Sequence, residues 1–217
     1  MPAAAQWIYA IATGAAALAL YAEPAWRQAA FVGSAAFWLV LVPLWLWRGI
    51  ATAPSTVLAA AGLVVLAPSA AAMMALPVSM VIVLLVFTSI ADAAAYFVGS
   101  RFGRRKLAPS ISPGKSWEGA AGGLAAVLLY AAVCVTLQPQ LKGAIVGPAW
   151  AGYLIATVTL FAASILGDLF ESAAKRRAGV KDSGSLLPGH GGILDRVDSA
   201  TAALPIAAAL WPLIGGK

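Results

Sequence analysis

Charge is scarce in this chain. Only 10% of its 217 residues are Asp, Glu, Lys or Arg, whereas a soluble domain carries roughly 25%. Against 62% hydrophobic residues and a mean hydropathy of +0.89, that shortage excludes an ordinary water-soluble globule. Cysteine occurs once, at Cys134, which excludes a disulfide framework within the chain. No Lys or Arg precedes the first apolar stretch, so removal of a signal peptide is not expected. There is no Walker-type phosphate loop, no nucleic-acid-binding module, no low-complexity tail and no clear internal repeat.

What the chain has in quantity is long apolar runs. Crossing the hydrocarbon core takes about 20 apolar residues in a helix. Seven stretches meet that demand, roughly 5–22, 28–47, 56–75, 77–98, 117–137, 144–168 and 193–213. The expected fold is therefore all-α: a polytopic membrane helix bundle of about seven transmembrane helices. It forms a single integral membrane domain over residues 1–217.

The few charges are unevenly spread. Arg101, Arg104, Arg105, Lys106 and Lys115 lie between the fourth and fifth runs, and Lys175, Arg176, Arg177, Lys181 and Arg196 flank the gap between the sixth and seventh. Two spans separate these loops, so they share a side, and Arg48 joins them. Eleven of the 14 basic residues thus fall on one face, leaving Arg27, Lys142 and Lys217 on the other. The excess of Lys and Arg marks that face as cytoplasmic. Orientation alone accounts for the bases but not for the acids, which contribute little to topology. Of 8 acids, all but Glu23 lie in or beside the same two loops. Acids and bases gathered at one membrane face point to a polar site for a highly charged substrate, a metal ion, or both.

In "GDLFESAAKR", residues 167–176, Asp168, Glu171, Ser172 and Lys175 fall on one helical stripe. A helix end entering water, with Glu171 paired to Lys175, would give the same pattern. Asp168 lies nearest the apolar run, where an ionisable group is costly and usually functional. In "GGILDRVDS", residues 191–199, Asp195 and Asp198 share a helix face at the start of the seventh run. Acids are also favourable there simply because a helix begins. Set opposite Asp168, they make an oxygen-rich site suited to Mg2+, which takes few carboxylates, keeps waters and bridges to substrate phosphates.

Between these motifs Gly184, Gly189, Gly191 and Gly192 let the backbone approach a ligand, and Lys175, Arg176, Lys181 and Arg196 supply charge for phosphate oxygens. His190, the single histidine, suits phosphate contact or proton movement, or plain solvent exposure. In the other loop, "SPGKSWEG" offers Ser112, Lys115, Ser116 and Glu118. Ser116 also suits a helix cap, and Trp117 an interface anchor. Asp92 reads equally as a hydrogen-bonding group inside the bundle. Gly119, Gly122 and Gly123 permit close helix packing. "GSRFGRRK", residues 99–106, has the character of a contact for anionic lipid.

The stretch 172–198 resembles the signature of the CDP-diacylglycerol synthase, or phosphatidate cytidylyltransferase, family. The matching residues are Ser172, Lys175, Arg176, Lys181, Asp182, Gly184, Pro188, His190, Gly191, Gly192, Asp195, Arg196 and Asp198, and the similarity covers roughly residues 80–200. Asp168 and "SPGKSWEG" are also similar to the family. Its members are generally longer, with more N-terminal spans, and often carry a second basic residue where Gly114 stands and a hydroxyl where Ala93 stands.

The resemblance implies transfer of the cytidylyl group of CTP to phosphatidate, giving CDP-diacylglycerol and pyrophosphate for phospholipid synthesis. It implies a catalytic set of Asp168, Lys175, Arg176, Lys181, Asp182, His190, Asp195, Arg196 and Asp198. Ser112, Lys115, Ser116, Glu118, Ser172, Gly191 and Gly192 would contact substrate. Mg2+ would sit on Asp168, Asp195 and Asp198, with room for a second ion such as K+. The implied partners are CTP, phosphatidate and the bilayer, with a homodimer allowed and no nucleic acid. The expected location is the bacterial inner (plasma) membrane, with the active site facing the cytoplasm. Two rival readings stand beside this one. A CTP-dependent lipid-alcohol kinase would share the nucleotide site but use a hydroxyl acceptor. A cation transporter would place its acids near the midplane rather than at one rim.

Overall fold

A computed structural model describes residues 3–49, 53–184 and 192–214. These form nine α-helices and one short hairpin: α1 Ala3–Ala22, α2 Pro24–Ala36, α3 Val42–Arg48, α4 Ser55–Ala75, α5 Val78–Phe102, β1 Lys106–Ala108, β2 Ser112–Ser116, α6 Trp117–Leu137, α7 Pro139–Ala144, α8 Ala149–Arg177 and α9 Leu194–Leu210. A 3-10 turn, Trp211–Ile214, follows α9.

Among the described residues, six helical stretches are long and apolar enough to cross a membrane, so the chain is an integral membrane protein of the expected all-α class. One of the six, Pro24–Arg48, joins α2 to α3 through a π-helical turn at Phe37–Leu41. Pro43 lies just beyond that turn. It has no N–H to give, and its ring crowds the carbonyl four residues back, so the helix widens ahead of it.

The seventh expected span, 193–213, differs. It is a 17-residue helix with a terminal 3-10 turn, enclosed by the others and not among those six. Helices α2, α4, α5 and α8 all pack on α9. Its run from Ser199 to Ala208 is buried throughout. Alanines at 200, 202, 203, 207 and 208 keep its surface smooth enough for close approach on several sides. A cluster of Phe37, Trp38, Val42, Val65, Phe170 and Ile206 fills the space between α9 and the second, third and sixth apolar spans. Ser69, next to the mid-helix Pro68, lies 2.6 Å from the Thr201 carbonyl and ties α4 to α9.

The other departure from an all-helical reading is the hairpin between α5 and α6. Lys106 pairs with Ser116 and Ala108 with Ser112, and Ile111 N–H closes the turn on Ala108 O at 3.1 Å. Helix α6 then packs along α5 through its small residues. A Cβ on Gly119 would stand 2.6 Å from the Ala95 carbonyl oxygen, a spacing that only a glycine permits.

Candidate active site

Three elements bring the charged motifs together at one end of the bundle. The second strand of the hairpin carries Lys115, α8 carries Asp168, Glu171, Ser172 and Lys175, and α9 opens with Asp195 and Asp198. Lys115 forms an ion pair with Asp168, joining two motifs 53 positions apart. Ser172 hydroxyl donates to Asp168 Oδ1 at 3.2 Å, from one turn further along α8. Helix α8 runs on to Arg177, well past the apolar run, because its polar stripe keeps helical spacing.

Lys175 lies between two carboxylates. Its Nζ is 2.7 Å from Glu171 Oε2 and 2.7 Å from Asp195 Oδ1. The pairing of Glu171 with Lys175 expected along the helix is thus present, but the ammonium also reaches across to α9. Asp195 receives further donors: the N–H of Gly192 at 2.7 Å, the N–H of Ser183 at 2.9 Å and the Ser183 hydroxyl at 2.9 Å. Burial works to raise the pKa of Asp195. Lys175, Gly192 and Ser183 outweigh it and hold the carboxyl below the usual carboxylate range. Asp195 therefore fastens both ends of the glycine-rich loop to α8.

Asp198 has a different setting, one turn further into α9. The Ser199 N–H donates to its Oδ1 at 2.7 Å. Burial first, then the carboxylate of Asp168 and the charges of Glu171 and Asp92, push it up to about 7, against the lowering effect of that N–H bond. Asp92, on α5, accepts a hydrogen bond from the Ser199 hydroxyl at 3.1 Å and feels the charges of Lys115 and Asp168. Helices α8 and α9 come this close because residue 167 is glycine: a Cβ there would meet the Asp198 carbonyl oxygen at 2.6 Å.

The remaining candidates divide. Ser116 caps α6, accepting from Gly119 N–H at 3.1 Å. Glu118 accepts the N–H groups of Arg104 and Arg105 at 3.1 and 3.2 Å, bracing the turn between α5 and β1. Ser112 opens β2 and is half-buried. Arg176, Lys181, Asp182 and Arg196 are exposed around the same end of the bundle, whereas Gly192 is buried beside the Asp195 clamp. His190 and Gly191, with Pro188 and Gly189, lie outside the described residues. Among the described residues, no three His, Cys, Asp or Glu side chains gather closely enough to hold a metal ion by themselves. Asp168 and Asp198 are in electrostatic contact, while the Asp195 oxygens are taken up by the loop and Lys175.

Sequence reasoning missed Ser183, Ser199 and Gly167. Serines beside acids and a glycine before an aspartate carry no signal until their partners are known.

Asp195→Asn gives a direct check of the clamp. A carboxamide loses the ion pair with Lys175 and weakens the N–H contacts, each worth roughly 1.5–3 kcal/mol to a charged acceptor. Hydrogen exchange at the Ser183 and Gly192 amides is expected to speed up about tenfold to a hundredfold, with α4 and α6 amides unchanged. Equal rates in the variant and the native chain would show that Asp195 does not hold the loop.

Comparison with known proteins follows the same residues. A cytidylyltransferase family profile matches residues 1–214. A phosphatidate cytidylyltransferase of Haemophilus influenzae is 53% identical over 116 residues, 53% of this chain and 39% of the relative. One from Pseudomonas aeruginosa is 48% identical over 133 residues, 61% of this chain and 47% of the relative. One from Bacillus subtilis is 48% identical over 114 residues, 52% of this chain and 40% of the relative. In each case the match takes in less than half of the relative's own length. Because the profile runs through both charged motifs and all six apolar helices, the chain belongs to the cytidylyltransferase family.

Proposed function

We propose that this chain transfers the cytidylyl group of CTP to phosphatidate, a reading carried by the meeting of Lys115 with Asp168 beside the Asp195–Asp198 turn. A lipid phosphate oxygen bonds to the α-phosphorus of CTP, and the bond to the bridging oxygen breaks. Pyrophosphate leaves with the electron pair, and nothing is oxidised or reduced. Two highly charged anions must meet, so cations have to surround them. Lys115 exchanges its hold on Asp168 for a phosphate oxygen, while Arg176, Lys181 and Arg196 take others with charge-assisted hydrogen bonds. Lys175 stays on Glu171 and Asp195 and keeps the loop in place.

Asp168 and Asp198 fit Mg2+ by donor type. They are hard oxygen ligands whose mutual repulsion a cation would relieve, and Mg2+ commonly needs only one or two protein carboxylates plus phosphate oxygens and waters. Bound there, Mg2+ would offset charge on the phosphates and the leaving group. Asp92, hydrogen-bonded to Ser199, extends the same acidic surface.

The site lies at a membrane rim, so acyl chains can remain in the bilayer while a nucleotide arrives from water. The basic excess makes that rim cytoplasmic, and the bacterial relatives support an inner-membrane location. Cys substitutions at Ser110 and Ala178, read with an impermeant thiol reagent on intact cells, should stay unlabelled while Gly143→Cys on the opposite face labels. Cys134 is buried and adds little background. Strong external labelling at Ser110 or Ala178 would reverse the orientation.

The reaction is tested with the purified full chain, CTP, Mg2+ and either phosphatidate or a polyprenol. CDP-diacylglycerol and pyrophosphate should form in equal amounts with phosphatidate. Phosphorylated polyprenol with no CDP-lipid would replace this reading with a lipid-alcohol kinase.

A further inference from the structure

The basic run 99–106 is not used by the chemistry above. Its residues form a separate cleft of about 400 Å³ where α5 ends, lined by Arg101, Phe102, Gly103, Arg104 and Glu118. Residues 101–106 carry four cations, Arg101, Arg104, Arg105 and Lys106, and the one acid in the cleft lining is Glu118. Glu118 spends its oxygens on the N–H groups of Arg104 and Arg105. It therefore fixes the turn through the backbone. Among the described residues, the Arg101 and Arg104 side chains form no ion pair, although Arg101 lies over the Phe102 ring at 5.9 Å.

The surroundings say which anion such a cleft meets. Helix α5 is one of the six membrane-crossing helices, and the cleft is at its last turn. Tyr96, Phe97, Phe102 and Trp117 each leave 60% or more of their surface exposed at this level. Large aromatic side chains left outward at a helix end mark the depth of lipid headgroups. Guanidinium groups at that depth match a phosphate diester in place, charge and hydrogen-bonding pattern.

We propose that the Arg101–Arg104 cleft is a headgroup site for an anionic phospholipid of the surrounding bilayer, distinct from the Lys115–Asp168 site. The lipid phosphate lies between the two guanidiniums and its acyl chains run down the exposed aromatic face of α5. This goes beyond the proposed reaction and does not depend on it.

The test uses the purified full chain in neutral micelles with equimolar phosphatidylglycerol and phosphatidylcholine, and counts retained lipids by native mass spectrometry. The native chain should retain phosphatidylglycerol preferentially, and rising salt should weaken that preference. Basic residues near a membrane surface each favour anionic lipid, so removing two should lower the preference about thirtyfold in R101A/R104A. R101K/R104K should keep most of it, which separates loss of charge from loss of fold. An unchanged ratio in the alanine variant would overturn the proposal. Should that variant fail to fold, a salt-insensitive preference in the native chain would overturn it instead. Displacement of the lipid by millimolar CTP or inorganic phosphate would assign the cleft to a soluble phosphate and overturn it as well.

Discussion

Asp168→Asn should leave about one per cent or less of native turnover with CTP and phosphatidate, in a protein that still folds. The carboxamide has nearly the same shape and can still accept the Ser172 hydroxyl, so α8 keeps its local contacts. What disappears is the charge that pairs with Lys115 and that would hold Mg2+ beside Asp198. Removing one preorganised electrostatic element from a reacting centre typically costs 10²- to 10³-fold. Circular dichroism and thermal melting of the variant should stay close to native while the apparent Mg2+ requirement rises. Turnover above about a tenth of native at ordinary Mg2+ would make Asp168 a structural residue and remove the basis for placing metal there.

The second large effect should come from a residue with no chemistry of its own. Gly167→Val places a branched side chain where a single Cβ already meets the Asp198 backbone oxygen at 2.6 Å. The obstructing atom is main chain, so no rotamer change relieves the contact and α9 has to shift. Overpacking of this kind costs about 1–3 kcal/mol and occasionally more. It also moves Asp198 away from Asp168, so turnover should fall together with melting temperature. Gly167→Ala should do the same to a smaller degree. A valine variant with native melting and native turnover would mean that α8 and α9 are not in this register.

The spans were legible in the sequence because 20-residue apolar runs have few alternatives in water. The polar stripe on α8 was legible because Asp168, Glu171, Ser172 and Lys175 repeat at helical spacing. The family was legible from the long, fixed pattern at 172–198. The contacts that assemble the site were not. Lys115 and Asp168 are brought together by a hairpin whose strands of three and five residues are too short to leave a periodic pattern. Asp195 was expected beside Asp168 on the strength of residue type. Its donors, Ser183 and Gly192, come from the loop itself, and spacing along a helix says nothing about them. The enclosure of α9 was hidden for a related reason: its alanines read as apolar sequence whether they face lipid or other helices.

The enclosure of α9 sets how freely its sequence can drift. A residue covered on all sides by neighbouring helices has no direction in which to grow, so most changes at 199–208 should be rejected whatever their polarity. Helix α1 is the opposite case, with Trp7, Ile8, Ile11 and Leu18 turned outward, where one greasy side chain can replace another. Across natural variation, then, the enclosed α9 should be the most nearly frozen of the helices near the site, and the outward-facing α1 should wander.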